Sequence, residues 1–431
     1  MKITTRFLRV TAFTPAALLC MALFAPAHSL AADSIERWNI AMTDFSAGLP
    51  PPGLPPFVEA RAYAMAHVAM LNALKTATRR PFAGITSVDA AVAAAAHDVL
   101  DTEFGRFIGP NTPFDAVYTA ELLAIPNGAA ESRGIAVGQA AAAAMLASRA
   151  SENPLAALTA PYTPGNKPGD FQPTPPTNIV AGAGWSAFKT FGVRSSSQLR
   201  APRPYSSLQS LDYAMDVNEI AVLGKANGSA RSSDQSGIAF FWYENSSFAW
   251  NRIARKLATG QSLMQHARLY AALNAALSDA YATSLESKFF YNFWRPLTAI
   301  RAADTDGNPL TVKDAFWEPA FITPPVPDYP SAHSAAGGAA AEVLNAFFGT
   351  NRAFQHTSTS APAAGPNATL TRSFASADAA ARENAYSRML VGIHFRRACE
   401  VGLAQGRDVG RYVLEHASFL RGDGDDDHDG D

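Results

Sequence analysis

Three short stretches carry cations and imidazoles that could act together. "KFFYNFWRP" holds Lys288 and Arg295, "YPSAHS" holds Ser331, Ala332 and His333, and "YSRMLVGIHFRRA" holds Arg388 and His394. Lys288 and Arg295 are seven positions apart, which is two turns on one helical face with Tyr291 and Asn292 between them. Pro296 disfavours continuing that helix and so places Arg295 at its C-terminal end. The neighbours Phe289, Phe290, Phe293 and Trp294 suit half-buried cations paired with something negative. In the second stretch Pro330 stiffens a turn, Ser331 is a natural N-cap, and His333 falls in the first turn of the helix "SAAGGAAAEVLNAFF". A helix start offers unpaired N–H groups and a positive dipole end, a ready seat for an oxyanion. A protonated imidazole there opposes the dipole, a conflict that a bound anion resolves. Arg388 and His394, six apart, splay on an unbroken helix, but Gly392 permits a turn that brings them together.

Each stretch alone also fits a bland account: a solvated Lys and Arg, a capping Ser beside a surface His, or an isolated Arg and His near a helix end. Together, one Lys, two Arg and two His supply the charge and the planar forks that hold a tetrahedral oxyanion. One imidazole could bond the central atom while the other exchanges a proton with an apical oxygen.

The order K-x6-R-P, P-S-x-H, S-R-x3-G-x-H resembles the signature of the vanadium-dependent haloperoxidases and the type 2 phosphatidic acid phosphatase superfamily, which includes bacterial acid phosphatases. "DQSGIAFFW", the stretch from Ala267 to Arg301 and "VGIHFRRACEVGLAQG" are similar to the secreted haloperoxidase-like branch, and the similarity spans roughly Phe171 to Arg407. The resemblance implies that Lys288, Arg295 and Arg388 hold the oxygens of vanadate or phosphate, helped by Ser331 and the backbone N–H of Ala332. It makes His394 the ligand to vanadium, or the nucleophile of a phosphatase, and His333 the general acid/base. It also suggests Asp279 as a supporting acid. Two positions depart from the pattern: Ala332 stands where Gly is usual, and Ala398 stands where many members have an Asp four residues after the second His. His394 is therefore expected to lack a local carboxylate to fix its tautomer, unless a carbonyl or a distant acid substitutes.

The elements that must position these residues are helical. Apolar residues recur at helical spacing from Phe57 to Ala77, from Val88 to Phe104, and through "GIAVGQAAAAAMLASRA" and "QSLDYAMDVNEIAVLG", while strand-like alternation is scarce. The expected fold is all-α, a multi-helix bundle. Two Pro-rich stretches interrupt it: "AGLPPPGLPPF" reads as an extended entry to the first long helix, and Pro161 to Asn178 as an irregular segment that lines a site or wraps the surface. The 431 residues, 48% hydrophobic and 17% charged, can bury one large core or two ordinary ones. A net charge of -2 and the absence of long Lys/Arg runs argue against nucleic acid.

Lys2, Arg6 and Arg9, an apolar stretch to about Ala25 and the small-residue "APAHSLAAD" read as a secretory signal, too short and Pro-interrupted for a membrane span. A secreted or periplasmic protein with no stable span after cleavage is the expectation. Cys20 lies in that leader, so the mature chain keeps Cys399 alone, buried, with no intramolecular disulfide. The expected organisation is a signal peptide over 1–32, a helical region with its Pro-rich wrap over 33–230, a catalytic bundle over 231–420 and an acidic disordered tail over 421–431. That tail superficially resembles a calcium loop but lacks the spacing of an EF-hand. The activity expected from the resemblance is vanadate-dependent oxidation of halide by hydrogen peroxide. Hydrolysis of a phosphomonoester through a phosphohistidine is the alternative, and a catalytically silent helical envelope protein the third.

Overall fold

Ala-rich periodicity becomes helix throughout the computed structural model, which describes residues 32–50, 53–360 and 370–421. The leader and the acidic tail, including the signal-peptide and calcium-loop expectations, lie outside the described residues. From Ser34 onward the described residues pack as one compact unit. Among them are fourteen α-helices and a single two-stranded ladder, Phe354–Thr357 (β1) antiparallel to Thr371–Phe374 (β2) with Phe354 opposite Phe374. The fold is all-α, as the spacing of apolar residues implies. No described helix is long and apolar enough to cross a membrane.

The first helices are α1 (Ser34–Gly48), α2 (Pro56–Thr78), α3 (Val88–Ile108), α4 (Phe114–Leu123) and α5 (Ala129–Ala147). A helix thus precedes the Pro-rich entry at Pro55–Pro56, ahead of the one expected to be first. After the short α6 (Pro154–Leu158) the chain has only a 3-10 turn at Trp185–Ala187 before α7 (Leu211–Leu223). Then follow α8 (Ser233–Phe241), α9 (Ser246–Ala258), the long α10 (Leu263–Tyr291), α11 (Pro296–Arg301), α12 (Ala332–Phe348), α13 (Ala377–Leu390) and α14 (Arg396–His416). Ser87, Ser210, Ser232, Ser262, Ser331 and Ser376 each cap the helix that follows by accepting a backbone N–H from its first turn. Such a cap is worth about 1 kcal/mol to its helix.

Small residues decide how closely α12 and α14 approach. A methyl group built at Gly402 would run into the carbonyl of Ser331, one at Gly406 into that of Ala335, and one at Gly338 into that of Leu403. Gly402, Gly406 and Gly410 stand four apart on one face of α14, a smooth stripe against which α12 lies backbone to backbone. The start of α12, where Ser331 and His333 sit, is fixed by that contact.

Candidate oxyanion site

Lys288 lies in the last turn of α10, which ends where Asn292 turns left-handed at φ 50° and ψ 40°. The chain then runs extended through Phe293 and Trp294 to Arg295, which is the N-cap of α11 with Pro296 at its first position. Lys288 and Arg295 therefore do not share one helical face: the helix stops and restarts between them, because Asn292 tolerates the left-handed conformation. The Pro-rich wrap supports this break. The Phe171 N–H donates to Asn292 O at 2.8 Å and the Trp294 N–H to Gly169 O at 2.9 Å.

Both cations nonetheless reach the same buried space. Lys288 Nζ donates to the carbonyls of Pro327 and Asp328 at 2.7 and 2.8 Å. Arg295 Nε donates to Val326 O and its Nη1 to Ile393 O, both at 2.7 Å. They brace the loop that leads to Ser331 and the turn that carries His394. Tyr291 and Trp294, which sequence alone places on or beside this face, serve elsewhere: Tyr291 donates to Ala201 O, and Trp294 stacks on Tyr213 in the core.

Ser331 caps α12 as its sequence context requires. Its Oγ accepts from the N–H and Oγ of Ser334, and its own N–H donates to Ala398 O at 2.8 Å. Ala332 is the first residue of α12, so its N–H belongs to the end group that intrahelical bonding leaves free. His333 follows in the first turn, with Nδ1 2.9 Å from Ser246 Oγ. Arg388 sits in the last turn of α13 and donates through Nη1 to Trp242 O at 3.2 Å. Gly392 then adopts φ 83° against the carbonyl of Gly224, a turn with no room for a side chain. That turn returns His394 toward Arg295, whose Nη1 lies 3.1 Å from its Nε2.

The carboxylate that Ala398 lacks is present from another direction. Asp328 Oδ1 lies 2.9 Å from His394 Nδ1, so the imidazole donates there and turns its unprotonated Nε2 away. The local position is Ala398, as expected, and a distant acid substitutes for it. Asp279 is not the substitute: it is spent on the backbone N–H groups of Phe191, Gly192 and Val193. Asp328 has a legible signal, an acid between Pro327 and the Tyr329-Pro330 turn just ahead of Ser331. Ser246, far away in sequence, has none.

Burial shapes the electrostatics. Lys288, Arg295, Ser331, Asp328 and His394 are all at most 4% exposed and Arg388 6%. Burial pushes the Lys288 ammonium well below its usual range, with Arg295 adding to the fall and Asp328 opposing it. Burial brings Arg295 down to about 10, relieved by Asp328 and deepened by Arg388. His394 is driven well down by burial and then by Arg295, Lys288, Arg388 and His333, which places all five groups within electrostatic reach of one another. His333 is driven down by burial and Arg388. Burial raises Asp328 to about 7, with Arg295 and Lys288 holding it from rising further.

Crowding three cations together out of water is costly unless an anion joins them. Arg295 Nη2, Arg388 Nε and His333 Nε2 are buried and have no hydrogen-bond partner among the described residues. Unspent donors on two guanidinium forks, beside an imidazole nitrogen with no partner, fit vanadate or phosphate, whose oxygens accept from all sides. Lys288, Arg295, His333, Arg388 and His394 are thus brought together, with Ser331 and Ala332 beside His333 at the start of α12.

Residues 268–422 match the family described as the VCPO second helical-bundle domain. The chain is 28% identical over 193 residues to the vanadium chloroperoxidase of Curvularia inaequalis, a match covering 37% of this chain and 31% of that protein. It therefore spans about a third of the length of that curated relative. Its fold is similar to that of a bacterial vanadium-dependent iodoperoxidase, with a TM-score of 0.72 at 25% identity over 90% of this chain and 96% of that one. A bacterial vanadium-dependent chloroperoxidase shares the fold with a TM-score of 0.70 at 16% identity, over 91% of this chain and 98% of that one. With its motifs gathered on a matching helical scaffold, the chain is similar to the vanadium haloperoxidases in fold and, over residues 268–422, in sequence.

Proposed function

We propose that the protein is a vanadate-dependent peroxidase that oxidises halide with hydrogen peroxide, taking up one proton and giving hypohalous acid and water. The observation that carries this reading is the pair of unspent buried donors on Arg295 and Arg388, with the unpartnered Nε2 of His333, around an imidazole oriented by Asp328. Lys288, Arg295 and Arg388, with Ser331 and the Ala332 N–H, would hold the oxygens of vanadate, and His394 would bind the metal through Nε2. Bound there, vanadate supplies Lewis-acid activation of hydrogen peroxide toward two-electron oxidation. Asp328 keeps the proton of His394 on Nδ1, so Nε2 presents its lone pair. The three cations offset negative charge in a site that water reaches poorly. His333 Nε2 would take a proton from incoming hydrogen peroxide and return it to departing water. The similarity to the iodoperoxidase over nearly the whole of both chains supports this reading.

A second reading draws on Asp328 itself. An imidazole backed by a carboxylate is also suited to attack phosphorus, with His333 protonating the leaving alcohol, so phosphomonoester hydrolysis competes. The test is to load purified protein with vanadate and follow oxidation of iodide and bromide by peroxide. Turnover that needs vanadate and is lost to excess phosphate is expected. No halide oxidation, together with vanadate-inhibited hydrolysis of an aryl phosphate, overturns the first reading in favour of the second. The reading includes export, for which intact-mass analysis should find the leader removed near Ala32.

A further inference from the structure

The two imidazoles of the site have different partners. His394 Nδ1 meets a carboxylate, Asp328, whereas His333 Nδ1 meets a hydroxyl, Ser246 Oγ, at 2.9 Å. Ser246 is the first residue of α9, and its side chain is not used to cap that helix, a role Asn245 fills by accepting from the Ser247 N–H at 2.9 Å. Ser246 Oγ instead lies 2.7 Å from the phenol oxygen of Tyr281 on α10. Ser246 is fully buried and Tyr281 nearly so. The hydroxyl is therefore held between a fixed phenol and one edge of the imidazole, and the opposite edge, Nε2, is buried without a partner among the described residues. A carboxylate at Nδ1 would favour the imidazolium. A hydroxyl can accept from Nδ1–H or donate to Nδ1 and so orients the ring without holding it charged.

We propose that Ser246, backed by Tyr281, is the positioning residue for His333: it grips Nδ1, fixes the tautomer and ring angle, and keeps Nε2 turned to the anion seat. The proposal rests on the assignment of His333 as the acid/base. In it the two histidines differ by their supports, a carboxylate behind the group that binds and a hydroxyl behind the group that moves a proton. The Trp242 carbonyl, which accepts from Arg388, also bears on the His333 ring. Among the described residues the hydrogen bonds of Ser246 Oγ run to Tyr281 and His333 and to none of the oxyanion-holding side chains, so its removal should leave binding of the anion largely intact.

The test compares Ser246→Ala, Ser246→Thr and Tyr281→Phe with the parent in three measurements. Vanadate affinity by calorimetry should stay within about threefold in all of them, while kcat for halide oxidation falls at least about tenfold in Ser246→Ala, with KM for peroxide little changed. Ser246→Thr, which keeps the hydroxyl, should recover most of that loss, and Tyr281→Phe should fall between. In vanadate-free protein, the nitrogen-15 resonances of His333 should report one neutral tautomer in the parent and a mixture in Ser246→Ala. Unchanged His333 resonances and unchanged kcat in Ser246→Ala overturn the proposal, as does a loss that Ser246→Thr fails to recover. Should the parent not oxidise halide at all, the peroxidase reading fails, yet the tautomer measurement still decides the role of Ser246. If Ser246→Ala does not fold, Tyr281→Phe decides by the same resonances, and an unchanged spectrum counts against the proposal.

Discussion

At the scale of single residues the site divides its work by what stands behind each group. Asp328 reaches His394 from the loop ahead of α12, so replacing it leaves the imidazole free to change tautomer and an adjoining Arg295 without its nearest acid, 3.8 Å away. Asp328→Asn should weaken vanadate binding about ten- to a hundredfold, read by calorimetry, with the fold intact by circular dichroism. His394→Ala should abolish retention of vanadate, whereas His333→Ala should retain it and lose most turnover. Equal loss of vanadate in both variants would contradict the roles assigned. The residues themselves were legible in the sequence because cations in aromatic surroundings, a Ser at a helix start and a Gly between Arg and His each leave a local mark. The partners of Asp328 and Ser246 lie 66 and 87 positions away; Asp328 is marked only by its place just ahead of the Ser331 motif, and nothing along the chain marks Ser246.

At the scale of elements, helices were legible and their breaks less so. Apolar spacing finds α2, α3, α5 and α7 within a few residues, since burial of one face is written in the sequence. The end of α10 is different. Pro296 marks a boundary, but the stop comes earlier at Asn292, a residue that permits the left-handed turn without demanding it. The glycines of α14 record a tertiary contact, because only the facing backbone of α12 explains them. Gly406→Val should therefore push α12 outward, cost about 1–3 kcal/mol of stability in a thermal melt and weaken vanadate binding through the displaced Ser331. Unaltered melting would contradict the close approach of these two helices.

At the scale of the whole molecule, the buried acids set how stability responds to pH. Burial raises Glu59 of α2 from its usual 4.5 to about 8, although Ser46 and Asn245 bond to it and restrain the rise. The unfolded chain releases this proton above its usual value while the folded chain keeps it to about 8, so stability falls as pH rises across that window and levels off above it. Asp279, raised to about 6, and Asp328, raised to about 7, add to the same slope at its lower end. Glu59→Gln should flatten the upper part of the curve, measured as midpoint temperature between pH 5 and 9; an unchanged slope would mean that Glu59 ionises normally. The wrap of Pro161 to Asn178 reaches further in its effect than a surface strap would. By pairing Gly169 and Phe171 with the strand-like turn before Arg295, it makes an early part of the chain the outer splint of a guanidinium that belongs to the late part. A graft of the motif-bearing helices onto another scaffold would leave that splint behind, and the fork of Arg295 would lose its aim before any residue of the three motifs had been altered.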